Sequence, residues 1–284
     1  MRTPSESVLP RPVSDACDEG AEAAELALCR ATLYSALALG FQPPTRETIT
    51  RLTTTDAASA LADAARRLDL SLAGSEGDAC VAPTSRPTLA ELAAALAQLD
   101  GNLAALAGDY RRLFGHTARG EVPAYETEYG SEALFQQPQE MADLAGFLHA
   151  FGLAMRADAH ERVDHVSCEC EFLSFLACKE AYAIAHDDQE MRAATAGATE
   201  LFLHDHVGRF VPAFATRLAR ATSSGLYRAL ADLLHALVEG DCRRCDITLG
   251  TPGLPLRPDP ATIATPMGCE AAADGTCPAG AGIA

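Results

Sequence analysis

Apolar residues recur along this chain at three- and four-residue steps, and no period-two alternation is sustained. Over 21–41 the positions Leu26, Cys29, Leu33, Leu37 and Phe41 trace one face of an amphipathic helix, which Gly40 and the Pro43-Pro44 pair stop. Shorter helical patterns are predicted over 56–70, 88–99 and 102–114, with a Gly-, Ser- and Pro-containing loop at 73–87. The stretch 139–151 offers Met141, Leu144, Ala145, Leu148 and Phe151 as a buried face. The cleanest pattern is 165–186, where Val166, Cys170, Leu173, Ala177, Ala181 and Ile184 form an inward seam, with Asp164 as the expected cap. Helices are further predicted over 191–207, 209–222 and 225–239, with Pro212 tolerable in a first turn. The fold class is therefore all-α: a single helical-bundle domain of about nine to ten helices.

Two flanks fall outside this pattern. Residues 1–20 carry three prolines among polar residues and are expected to be a disordered leader, which leaves 21–239 as the helical domain. Residues 240–284 contain six prolines and form an irregular Pro/Cys-rich tail. Its composition offers too little apolar area to offset the entropy of ordering, so order there has to come from a metal, a partner or the domain surface.

Composition narrows the function classes. With 22 Lys and Arg against 39 Asp and Glu, the formal charge is −17, which disfavours a nucleic-acid partner and favours a cationic one. No apolar stretch is long enough to span a bilayer, and no export-signal pattern is visible, so a cytoplasmic protein without membrane insertion is expected. Ten cysteines in 284 residues do not demand disulfides in that compartment.

Several constellations could carry chemistry. Glu161-Arg-Val-Asp-His165 puts two carboxylates, a guanidinium and an imidazole at the start of the longest helix. The helix N-terminus disfavours the imidazolium of His165. The same five residues also suit a capped loop with a local Arg–carboxylate pair. Glu126 and Glu128, flanked by Tyr125 and Tyr129, read as an acidic rim. His204-Asp-His206 looks like a metal motif, but side chains two apart on a helix diverge, so both imidazoles cannot easily reach one ion. No phosphate-binding loop, dinucleotide fingerprint or nucleophile elbow occurs, and no catalytic residue is assigned; the chain is not expected to be an enzyme. In the tail, Cys242, Cys245, Cys269 and Cys277 could bind zinc or an iron–sulfur cluster, with Arg243 and Arg244 expected to lower the nearby thiol pKa values. Free thiols are the alternative there, and no cofactor is otherwise required.

Four ordered blocks resemble the TorD/DmsD/NarJ family of molybdoenzyme-specific chaperones. They are Asp109-Tyr-Arg-Arg-Leu-Phe-Gly115, Pro123-Ala-Tyr-Glu126, Glu161-Arg-Val-Asp-His165 with the helix after it, and Phe202-Leu-His-Asp-His-Val-Gly-Arg-Phe-Val-Pro212. Val163 stands where the family signature usually has proline, and Phe210 where tryptophan is common. The Tyr125–Tyr129 loop is closest to the subgroup serving type II dimethyl sulfoxide reductase family enzymes. The resemblance implies a cytosolic chaperone that binds the twin-arginine leader and apo form of a molybdopterin-containing catalytic subunit and assists cofactor insertion. It implies Tyr125, Glu126, Glu128, Tyr129, Glu161, Asp164 and His165 as the client-binding residues, carboxylates meeting guanidiniums. The alternatives are a metal- or iron–sulfur-carrying accessory protein acting through the tail, or an enzyme using His204 and His206 or the Cys242/Cys245 pair.

Overall fold

Short polar caps and prolines set many of the helix boundaries. After Pro43-Pro44, Thr45 closes a reciprocal capping box with Thr48, and Thr54 caps the next helix through the Ala57 amide. The computed structural model describes residues 13–68, 103–115, 119–131, 136–156 and 161–258. Nine α-helical segments run through them: α1 (Val13–Gly40), α2 (Arg46–Thr53), α3 (Thr55–Arg67), α4 (Leu103–Phe114), α5 (Gln136–Ala150), α6 (Val166–Ala185), α7 (Gln189–Phe202), α8 (Gly208–Ala221) and α9 (Gly225–Arg244). No strand occurs among the described residues, only three isolated bridges. The all-α reading holds. A five-residue π turn, Leu203–Val207, carries α7 into α8, so the distinct rods are slightly fewer than expected.

Helix α1 lies along α6 and also meets α9, which pairs with α8. Leu33, Leu37 and Phe41 of the predicted stripe are buried here with Cys170 and Leu173 of the α6 seam. Phe41, Phe114, Phe214 and Tyr227 meet edge-on or stacked, with Phe41–Phe214 centroids 5.5 Å apart and Phe114–Tyr227 5.4 Å. Burying each such ring contributes about 1.5–3 kcal/mol.

The departures from expectation have local causes. Helix α1 begins at Val13, within the segment expected to be a leader. Helix α2 is new, its eight residues being too few for a clear period. On α5, Leu144 is buried but Ala145 is exposed, so the apolar face is narrower than expected. The helix expected over 88–99 lies outside the described residues. Gly240 does not stop α9. The helix continues because buried Asp241 accepts from Tyr34 Oη (2.9 Å) and Arg244 Nε (3.2 Å), while Arg30 reaches Glu180 on α6 at 2.7 Å. This polar knot ties α9 to α1 and α6.

Pro212 sits in the interior of a continuous rod rather than in a first turn. Lacking an N–H, it leaves the Gly208 carbonyl without its intrahelical donor. Gly250 N–H donates to that carbonyl at 2.9 Å. A Cβ at residue 250 would come within 2.2 Å of the Arg209 carbonyl oxygen, so only glycine allows this approach. From there the chain continues as a strap, residues 250–257, with Leu254 and Leu256 packed against the core. The first part of the expected tail is thus ordered by the domain surface.

Candidate functional site

Residues 123–130 run between two neighbours. On one side, Val166 N donates to Ala124 O and Glu126 N to Asp164 O, both at 2.8 Å, which pairs Tyr125 with His165 in an antiparallel bridge. On the other, Gly130 N donates to Pro255 O (2.9 Å) and Arg257 N to Glu128 O (2.8 Å), pairing Tyr129 with Leu256. A single 3-10 turn, Glu126–Glu128, lies between them. The loop and the Glu161–His165 segment, 36 positions apart at Tyr125 and Glu161, are therefore one structural unit.

Asp164 anchors that unit. Its side chain is fully buried and accepts both Arg162 Nε (2.9 Å) and Nη2 (2.7 Å) in a fork. Thr127 Oγ1 donates to the same carboxylate at 2.7 Å and accepts from Arg162 Nη2 at 2.7 Å. The Arg162 guanidinium also lies 4.5 Å over the Tyr125 ring, and Tyr125 Oη donates to Glu161 Oε1 at 3.0 Å. Burial, then the Glu161 charge, raises the Tyr125 phenol well above its ordinary value, so it stays a donor.

His165, not Asp164, caps α6: its Nδ1 accepts from Ser167 N at 3.1 Å, with Ser167 Oγ at 2.7 Å. Asp164 is drawn away by Arg162, which makes a stronger charge-assisted pair than a cap would. Burial lowers the His165 pKa, outweighing Glu161 and Asp164, so the ring is neutral with Nε2 protonated.

A second polar cluster lies beneath the loop. The π turn directs His206 inward, where it is 2% exposed and its Nδ1 donates to Glu126 Oε2 at 3.0 Å. Its Nε2 has no hydrogen-bond partner; Asp143 Oδ2 is 3.6 Å away on α5. Phe147 and Phe202 enclose the ring. His204 points outward and pairs with its neighbour Asp205, so the two imidazoles diverge as the spacing requires. Glu169 is fully buried on the first turn of α6, and neither carboxyl oxygen has a hydrogen-bond partner. Burial first, and then the nearby Glu126 and Asp164 charges, push its pKa well above the ordinary carboxylate value, which favours the protonated form.

The expected acidic rim is therefore only partly a rim. Glu126 and Asp164 are buried and already partnered, as are Tyr129, whose Oη donates to Pro123 O at 2.8 Å, and His165. Tyr125, Glu128 and Glu161 remain half-buried, and Glu128 is paired with Arg119 at 3.1 Å. Sequence reasoning missed Thr127, Glu169, Glu140 and Arg257. The last two form a fork of 2.9 and 3.0 Å between α5 and the strap. Arg162 and His206 sat inside quoted motifs, but nothing in their spacing announced their partners.

Cys242 is buried, and a Cβ on Gly208 would lie 3.0 Å from its Sγ. Burial pushes its thiol up to about 11 and also raises Cys245, where the opposing Arg244 charge is outweighed. The net lowering expected from Arg243 and Arg244 does not result, because burial outweighs it. Cys269 and Cys277 lie outside the described residues. Among the described residues no group of three or more His, Cys, Asp or Glu side chains could hold a metal, and no helix is long and apolar enough to cross a membrane.

Comparison with known proteins gives consistent matches. Residues 78–216 match the family model described as nitrate reductase delta subunit. The chain is similar to the chaperone protein TorD of Vibrio cholerae serotype O1, 31% identical over 138 residues, covering 48% of this chain and 60% of that protein. TorD of Photobacterium profundum is 27% identical over 136 residues, 48% of this chain and 62% of the relative. The perchlorate reductase assembly chaperone protein of Dechloromonas aromatica is 29% identical over 107 residues, 36% of this chain and 45% of that protein. The chain thus spans about three-fifths of the length of the TorD relatives it matches. An all-α core, the paired Tyr125 and His165 segments and these matches thus make the chain similar, over about half its length, to the nitrate reductase delta subunit model and to the TorD and perchlorate reductase assembly chaperones.

Proposed function

We propose that this protein is a non-catalytic, cytoplasmic chaperone for the catalytic subunit of a dimethyl sulfoxide reductase family molybdoenzyme. It binds the twin-arginine leader and the apo-subunit until the client's own molybdopterin cofactor is inserted. The pairing of the Tyr125 loop with the Glu161–His165 segment carries the reading, because two blocks of the family resemblance meet there in one surface. Tyr125, Glu128 and Glu161 are the half-buried groups able to touch a client; Glu126, Tyr129, Asp164 and His165 act by holding them in place. The charge of −17 supports attraction of a cationic leader. A perchlorate reductase chaperone among the relatives is compatible with a respiratory client of the type II subgroup.

Calorimetry of the full chain with a synthetic peptide bearing two adjacent arginines and an apolar stretch tests this. Binding is expected to weaken with salt, and Glu161→Gln is expected to cost about 1–2 kcal/mol, roughly a five- to thirtyfold loss. Replacing both arginines by glutamine should abolish binding. Equal affinity for the arginine and glutamine peptides at low salt rejects the reading.

A further inference from the structure

The strap over residues 250–257 has the chemistry of the ligand just proposed. It is extended, it buries Leu254 and Leu256 in part against the core, and it ends on a guanidinium. Arg257 is 6% exposed and is held at both terminal nitrogens: Nη1 meets Glu140 Oε2 (3.0 Å) and Thr127 O (2.9 Å), and Nη2 meets Glu140 Oε1 (2.9 Å), while its buried Nε has no hydrogen-bond partner. Its carbonyl accepts from Arg119 Nη1 at 2.7 Å. Gly130, at φ +133°, leaves room for the same guanidinium, since a Cβ there would lie 3.3 Å from Nη2.

Glu140 and the Thr127 carbonyl thus make a built receptor for one planar, bidentate cation. Thr127 Oγ1 also bonds both Arg162 and Asp164, so the receptor and the Tyr125–His165 unit meet at one residue of the 3-10 turn.

The strap's main-chain hold is limited, and side chains, Arg257 above all, supply the rest. Pro252 and Pro255 have no N–H, and the strap exchanges just two backbone bonds with the loop, Gly130 N to Pro255 O and Arg257 N to Glu128 O. Gly250 N to Gly208 O fixes its start, and Arg217 Nη2 reaches Leu254 O at 3.3 Å. A short segment with so few main-chain bonds belongs to the readily opened part of a fold.

We propose that residues 250–257 are an internal occupant of a guanidinium-receiving site formed by Glu140 and the Thr127 carbonyl, and that an arginine-bearing client segment binds by displacing them. This rests on the leader-binding reading above and extends it, making the free protein self-occupied. The apparent affinity for a leader is then reduced by the fraction of molecules whose strap is docked. A permanent structural clasp is the competing outcome.

The test uses the full chain and a synthetic peptide with two adjacent arginines followed by an apolar stretch. Hydrogen exchange on wild type needs no variant: bound peptide should speed exchange at the Gly130, Gly250 and Arg257 amides. Arg257→Gln should bind the peptide about tenfold more tightly, and Glu140→Gln should weaken binding and cancel that gain. Binding to wild type with unchanged or slower exchange at those amides overturns the self-occupancy and leaves the chaperone reading standing. No binding to folded wild type or to folded Arg257→Gln defeats both.

Discussion

Glu169 keeps a fully buried carboxyl with neither oxygen hydrogen-bonded, within the field of Glu126 and Asp164. A carboxyl whose folded pKa lies above its ordinary 4.5 binds more protons folded than unfolded, so its contribution to stability is full below that value and is lost as pH rises through the folded pKa. Glu169→Gln removes this term. Urea unfolding should show the variant gaining on wild type steadily from acid toward neutral pH, and parallel curves across that range would refute the buried proton. His165 has the opposite sign: burial depresses its pKa, so its contribution is present above about 6.5 and falls away as the pH drops through the folded value. Asp164 is a matter of folding before it is one of binding. Asp164→Ala leaves Arg162, Thr127 and the 124–126 pairing without their anchor. Breaking a buried pair costs about 3–5 kcal/mol, and the lower end applies because the Arg162 side chain is 40% exposed. Chemical denaturation measures this, and a loss under 1 kcal/mol would mean that the fork is ornamental.

At the scale of elements, the α7–π turn–α8 rod sets much of the site. The π turn carries His206 inward to Glu126, and Pro212 frees the Gly208 carbonyl for Gly250. Gly250→Ala therefore forces a Cβ against backbone that cannot yield, since Arg209 is part of a helix. The expected result is release of the strap, seen as faster proteolysis between 245 and 258, with helical circular dichroism unchanged. Proteolysis at the wild-type rate would show that the strap docks without this contact. The periodic pattern made the rods legible because each buries one stripe, as Leu33, Leu37 and Phe41 do on α1. It could not show that α7 and α8 are continuous, because Gly208 reads as a stop until Leu203 O and Cys242 Sγ are seen close against it. Nor could it extend α9 past Gly240, which depends on Tyr34 from the other end of the chain bonding Asp241.

For the whole molecule, thiol chemistry separates the core from what surrounds it. Cys178 is exposed and Cys242 is buried beneath Gly208, so native alkylation should label Cys178 promptly and Cys242 only on unfolding. A four-thiolate site with Cys245, Cys269 and Cys277 requires Cys242 to leave that packing. Stoichiometric zinc or iron in anaerobically purified protein, lost in Cys242→Ser, would establish the site; a metal-free protein with native-protected Cys242 would remove it. The sequence by itself determined the all-α class, the long helices and their buried stripes, the acidic charge, and the blocks that brought Tyr125, Glu161 and His165 forward. Those are properties of local spacing and composition, each fixed by residues a turn or two apart. The tertiary structure alone decided that Glu126 and Asp164 are buried anchors, that His165 rather than Asp164 caps α6, and that a supposed tail supplies Arg257 to Glu140. The cap is decided two positions away, where Arg162 takes Asp164, but the buried charges also depend on distant partners, Asp164 with Thr127, Glu126 with His206 and Glu140 with Arg257, and no local pattern encodes which buried charge meets which.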